Sequence, residues 1–161
     1  MKRTLLTIWL AATLALAPEL RAEGFADGLR AYDSGDYATA YSVWSDLAGA
    51  GDAEAEAAIA GLYFQGLGVE ESAAQAAAWY RRAARRGLMA AQMNLGELYA
   101  AGRGVRRDLV MAYLWLCLAA NQGSTWSAGR RDDIAMAMNA TDIAEAEALA
   151  RAFRREIEKA K

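Results

Sequence analysis

The sequence predicts an all-α fold: a short right-handed α/α superhelix, a solenoid built from helix pairs. Three observations predict it. The chain matches itself at a constant offset of 36 residues (Tyr63 on Tyr99, Trp79 on Trp115, Gly87 on Gly123), and a fixed period in this range marks stacked supersecondary units. Apolar residues inside each unit recur at helical spacing. The one proline is Pro18, so no helix breaker falls anywhere beyond it.

The first element is a leader. Lys2 and Arg3 precede an uncharged apolar run, Leu5 to Ala17, and small Ala22 follows Pro18, Glu19 and Arg21. This layout predicts a signal peptide over residues 1–22, cleaved after Ala22. The apolar run is short for a bilayer span, and no second run of that kind follows. An exported protein is expected, periplasmic or secreted, with no integral membrane segment after cleavage. Residues 23–161 then form one helical repeat domain: a degenerate first unit (23–52), two clear repeats (53–88 and 89–123) and closing helices (124–161).

In the first unit, Gly28, Ala40 and Trp44 flank "DSGD", which breaks the segment into two helices. In the first clear repeat, Ala55, Ile59, Leu62 and Tyr63 share a helical face, as do Ala91, Leu95, Leu98 and Tyr99 in the second. The second helices carry the stripes Ala76, Trp79, Tyr80, Ala83 and Ala112, Trp115, Leu116, Ala119. Alanine lets helix backbones approach and tryptophan fills the wider gap, so these stripes are packing devices first. The closing segment ends in a helix capped at Thr141, with Ile143, Ala146, Leu149, Ala150 and Phe153 buried. "GLYFQGLGV" and "GELYAAGRGV" join the helices of each repeat. Gly66 and Gly102 stop the first helices in the left-handed conformation, and Gly68 and Gly104 permit the tight turn. Neither stretch is a phosphate cradle: no strand precedes it, the third glycine of a dinucleotide loop is missing, and so is a Gly-Lys-Ser/Thr.

These residues carry a resemblance. "GLMAAQMNLGELYAAGRGVRRDLVMAYLWLCLAANQG" resembles a repeat of the SEL-one-like, tetratricopeptide-related family, with Asn94-Leu95-Gly96, Leu98-Tyr99, Gly102-x-Gly104-Val105, Asp108, Ala112, Trp115, Ala119-Ala120 and Gly123 on its pattern. The first copy is looser: Ala58 replaces the asparagine, Ala60 the first glycine and Ser72 the acid. The resemblance implies a superhelix that binds other proteins, often in envelope or signalling assemblies. Family members called β-lactamases carry paired cysteines. This chain has one cysteine, Cys117, which reads as a small buried hydrophobe or as half of an intermolecular disulfide.

Composition narrows the chemistry. There is no histidine, which removes imidazole acid–base catalysis and most zinc sites. There is no Ser-x-x-Lys nucleophile motif. The carboxylate pairs Glu54/Glu56 and Glu145/Glu147 lie two apart on helices, point to different sides and read as solvated surface. No catalytic residue, cofactor or metal is therefore expected. Charge is split: residues 23–71 hold ten acids against Arg30, and residues 72–161 hold fourteen bases against nine acids. With a net charge of −2 and an export signal, nucleic acid is not an expected partner.

Two surfaces are candidates for a protein partner. Arg82, Arg86, Arg103, Arg106 and Arg107 form a basic region suited to an anionic partner, against the plainer reading of a solvated helix end. The non-core positions of the first helices line an inner wall: Phe64 and Gln65 in one copy, Gln92, Met93 and Glu97 in the next. Phe64 and Met93 serve there either as apolar anchors or as packing against neighbouring helices. The expected function is an exported interaction scaffold of a bacterial cell envelope. The alternatives are an envelope hydrolase or β-lactam-binding protein, and a peptidoglycan- or glycan-associated accessory protein. Partner identity and oligomeric state are open at this level.

Overall fold

A computed structural model describes residues 18–159, and all regular structure among them is helical. The order is α1 (Pro18–Asp33), α2 (Tyr37–Gly49), α3 (Ala53–Gln65), α4 (Ala73–Arg85), α5 (Met89–Ala101), α6 (Leu109–Asn121), α7 (Thr125–Ala135) and α8 (Ala140–Lys159). Most of the expected leader, residues 1–17, lies outside the described residues, and Ala22 lies within α1. No described helix is long and apolar enough to cross a membrane.

Most helix starts are set by a side chain that satisfies an orphan amide. Asp36, Asp52, Ser72, Asp108 and Ser124 each accept a hydrogen bond from the backbone N–H three residues on. Ser72 and Asp108 occupy equivalent places, so the acid of the repeat pattern is a cap that serine replaces in kind. The cap of α8 is Asn139 and not the expected Thr141. The Asp142 N–H donates to Asn139 Oδ1 at 2.9 Å, so the helix begins two residues earlier than expected.

The two inter-helix turns are near copies. Gly66 and Gly102 both have φ 69°, and Gly68 and Gly104 have φ 68° and 71°. The Leu67 and Arg103 N–H groups reach back to Leu62 O and Leu98 O at 3.0 Å, closing Schellman-type ends. The second glycine of each pair is also a close-approach site. A Cβ on Gly68 would lie 2.7 Å from Tyr37 Cβ, and one on Gly104 would lie 2.1 Å from Ala73 O. Each turn therefore nests on the start of the second helix of the preceding unit.

Each helix packs beside the next from α1 to α7, and α8 docks on α6. As the meeting point of α5, α7 and α8, α6 is buried without interruption from Ala112 to Leu116. That accounts for "LVMAYLWLC", which is apolar on all sides and has no polar face to give to water. Trp115 is 1% exposed and packs at a tilt of 54° against Phe153 of α8, with ring centroids 5.2 Å apart. Ala76, Ala77, Ala83 and Ala84 sit fully buried where α4 meets its neighbours, as the small-large pattern requires. Tyr80 is the more deeply buried ring of α4, and Trp79 is half-buried. Cys117 is half-buried and packs against two of the core clusters.

Candidate partner-binding surface

Glu56 is the side chain that departs furthest from its sequence reading. Expected on the solvated surface with Glu54, it is 0% exposed. Position 56 lies on the Ile59–Ala60 side of α3, which faces the core, while Glu54 is exposed. Two arginines from α4 and its C-terminus hold it. Arg82 Nε donates to Glu56 Oε1 at 3.0 Å, and Arg86 Nε donates to Oε2 at 3.1 Å. Arg82 also donates to Ala48 O at 3.4 Å and lies 4.4 Å above the Trp79 ring. A carboxylate out of water is tolerated only when its lone pairs are met in this way.

The equivalent position in the next unit is also buried and polar. Gln92 is 1% exposed, so it does not belong to the inner wall on which it was expected. Its amide donates to Ala84 O at 3.2 Å and accepts from Gln122 at 2.8 Å. Gln122 stands 36 residues after Arg86, so an amide pair in one unit takes the place of the ion pair in the other.

This geometry redistributes the basic region. Arg82 and Arg86 are engaged with Glu56, Arg81 donates to Tyr99 Oη at 2.9 Å, and Arg85 stands 5.6 Å above the Phe153 ring. The α4 arginines chiefly tie helices together. Arg103 lies 4.4 Å over the Phe64 ring, and Arg107 donates to Ala100 O. Arg106 is exposed and makes no ion pair among the described residues.

The inner wall holds the better-formed feature. Phe64 of α3, Tyr80 of α4, and Asn94, Glu97 and Leu98 of α5 line a small cleft of about 70 Å³. Phe64 and Leu98 supply apolar sides, and Asn94 and Glu97 supply polar groups. Arg130 of α7 donates to Glu97 at 2.8 Å, which raises the guanidinium above its ordinary pKa. Gln65 is exposed and donates to its own helix at Gly61 O. Met93 is half-buried, with its sulfur 3.7 Å from Ser124 Oγ, and so it packs towards α7.

Burial pushes the Tyr80 phenol above the ordinary value of 10.0. The phenolate is the charged form, so the folded state holds the proton more tightly than the unfolded chain. The resulting stability is complete below pH 10 and is lost as pH rises through the folded value. Urea midpoints should fall above pH 10, and Tyr80→Phe should make that alkaline loss shallower. An unchanged slope in the variant would remove Tyr80 as its source.

Tyr80, Asn94, Arg130 and Gln122 were not expected at a binding surface, although Asn94 lies on the repeat pattern. Tyr80 was placed in a core stripe, and its edge position on a cleft depends on how α3 and α5 splay. For Glu56 a signal existed: it falls on Gln92 in the repeat alignment and three residues before Ile59, among core alanines. Among the described residues, no group of three or more Cys, Asp or Glu is placed to hold a metal ion.

A family model described as the Sel1 repeat matches residues 53–88 and 90–124. The solved structure of a Sel1 repeat protein from Oxalobacter formigenes is similar at 32% identity and a TM-score of 0.64, over 70% of this chain and 88% of that one. A second similar structure is that of a protective antigen of uropathogenic Escherichia coli with an SLR fold. It matches at 28% identity and a TM-score of 0.79 over 85% of this chain. The chain spans 30% of that antigen's length. No curated protein sequence matches the chain.

Proposed function

The chain belongs to the Sel1 repeat family, whose repeats generally mediate protein–protein interaction, and from that premise we propose that it is an exported, non-enzymatic scaffold of a bacterial cell envelope. The observation that carries the binding surface is the cleft between α3 and α5. It offers an aromatic side, polar groups at Asn94 and Glu97, and helical backbone on either side. An extended peptide could seat one apolar side chain against Phe64 and Leu98. Its backbone or a polar group would then meet Asn94 and Glu97. Export rests on the charged and apolar layout of residues 1–22, and the charge split and the arginine-rich turn at Arg103, Arg106 and Arg107 favour a partner with acidic groups near that turn.

Site-specific photo-crosslinking in the envelope fraction tests this reading. A photoreactive side chain at position 64 should capture a discrete partner, and one at exposed position 78 on α4 should not. Phe64→Ala with Glu97→Lys should reduce capture from a probe at the neighbouring position 65 by about tenfold, the scale of one or two lost interface anchors. Equal capture from positions 64 and 78 would sink the wall as the binding surface. Recovery of the protein only in the cytoplasmic fraction would sink export.

A further inference from the structure

Equivalent positions in the two inter-helix turns carry opposite charge. Glu70 and Glu71 of the first turn align with Arg106 and Arg107 of the second at the 36-residue offset. All four are exposed. The turns are alike in backbone, since their glycine angles match and both exits are pinned: Ser72 N–H donates to Tyr63 O at 2.8 Å and Asp108 N–H to the equivalent Tyr99 O at 3.0 Å. They are also neighbours, because the second turn nests against Ala73 at the end of the first. Yet the acids and arginines make no ion pair with each other, and Glu70, Glu71 and Arg106 make none at all among the described residues.

We propose that this edge is a self-docking surface whose occupant is a second copy of the chain. A two-fold axis between the turns would set the acidic turn of each copy against the basic turn of the other. A two-fold interface requires that if residue i meets j, then j meets i, and a pair of like turns with opposite charge meets that requirement. Two turns of equal sign would repel under the same operation. A foreign partner would need to reproduce the same spacing of acid and base on a matching rigid edge, which a second copy supplies without further conditions. Two short turns bury far less than the roughly 1,200 Å² of stable interfaces, so the pairing is transient and formed at high protein concentration. Exposed ion pairs are screened by salt, so it weakens as ionic strength rises from about 0.01 M to about 1 M. This proposal does not depend on the α3–α5 cleft, and it gives Arg106 and Arg107 to the acidic turn of a second copy in place of an acidic foreign partner.

Sedimentation velocity on the purified chain tests it, with circular dichroism to confirm that each variant is folded. The wild type should show a concentration-dependent monomer–dimer equilibrium at low salt. Glu70→Arg with Glu71→Arg should abolish the dimer, and so should Arg106→Glu with Arg107→Glu. Mixing these two variants should restore a one-to-one dimer, and combining all four changes in one chain should restore the homodimer. A wild type that stays monomeric at every concentration overturns the proposal. So does a dimer that survives both charge reversals, a mixture that fails to pair, or a species that grows beyond the dimer with concentration.

Discussion

Replacing Arg82 and Arg86 together by alanine is expected to lower the unfolding free energy by about 3 kcal/mol, the low end for stranding a buried charge. The low end applies because both arginines are about half exposed, so water already screens part of the attraction. Glu56 itself is wholly out of water and would keep no charged partner. Either single replacement should cost much less, since the other guanidinium remains within 3.1 Å. Glu56→Gln added to the double variant should recover most of the loss, because the next unit already buries Gln92 at the equivalent place. Urea midpoints at constant m-value measure the wild type and the four variants. A double variant within about 1 kcal/mol of the wild type, below the range for breaking a buried pair, would mean that Glu56 is not held as described.

Gly104→Ala is expected to cost about 3 kcal/mol or more. The positive φ of 71° accounts for roughly 1–2 kcal/mol of that with any L side chain. The remainder comes from the new Cβ, which would lie 2.1 Å from the Ala73 carbonyl oxygen and force the turn off α4. Gly123→Ala is the comparison. Its φ is 99°, but nothing lies within 4 Å of its Cβ position, so only the conformational cost of roughly 1–2 kcal/mol applies. Equal thermal destabilisation in the two variants would show that the nesting of the turn contributes nothing.

The helix pairs were legible because periodicity and glycine placement report local backbone requirements. Tyr63 and Tyr99, or Gly66 and Gly102, recur because each unit solves the same packing problem. Caps were less legible: Asn139 and Thr141 are both good capping residues two positions apart, and only the path of the chain out of α7 decides between them. The surface was the least legible part. A helical wheel places Gln92 beside Leu95, Gly96 and Tyr99, but an amide there reads as exposed unless a neighbour meets it, and that depends on α6 arriving with Gln122. Arg82 and Arg86 looked like part of a basic patch because sequence shows charge and not its counterpart, and the same holds for Arg81 and Arg85. Glu56, Tyr99 and Phe153 lie 26, 18 and 68 residues from the arginines they meet.

The buried polar pairs have a consequence for how such an array can change length. Glu56 finds Arg82 and Arg86, and Gln92 finds Gln122, each within its own unit. Towards the preceding unit the same groups speak only to main-chain oxygens: Arg82 to Ala48 O, Gln92 to Ala84 O, and Gln122 to Gly87 O. For these buried polar groups the choice of side chain is thus settled inside a unit, and their reach across the joint meets only main chain. A duplicated or transplanted unit brings its own counterpart along and meets carbonyls that any predecessor presents. Gene duplication and recombination at the glycine boundaries can lengthen or shorten the array without rewriting these buried polar pairs, while contacts such as Arg81 to Tyr99 Oη must be matched at each new joint.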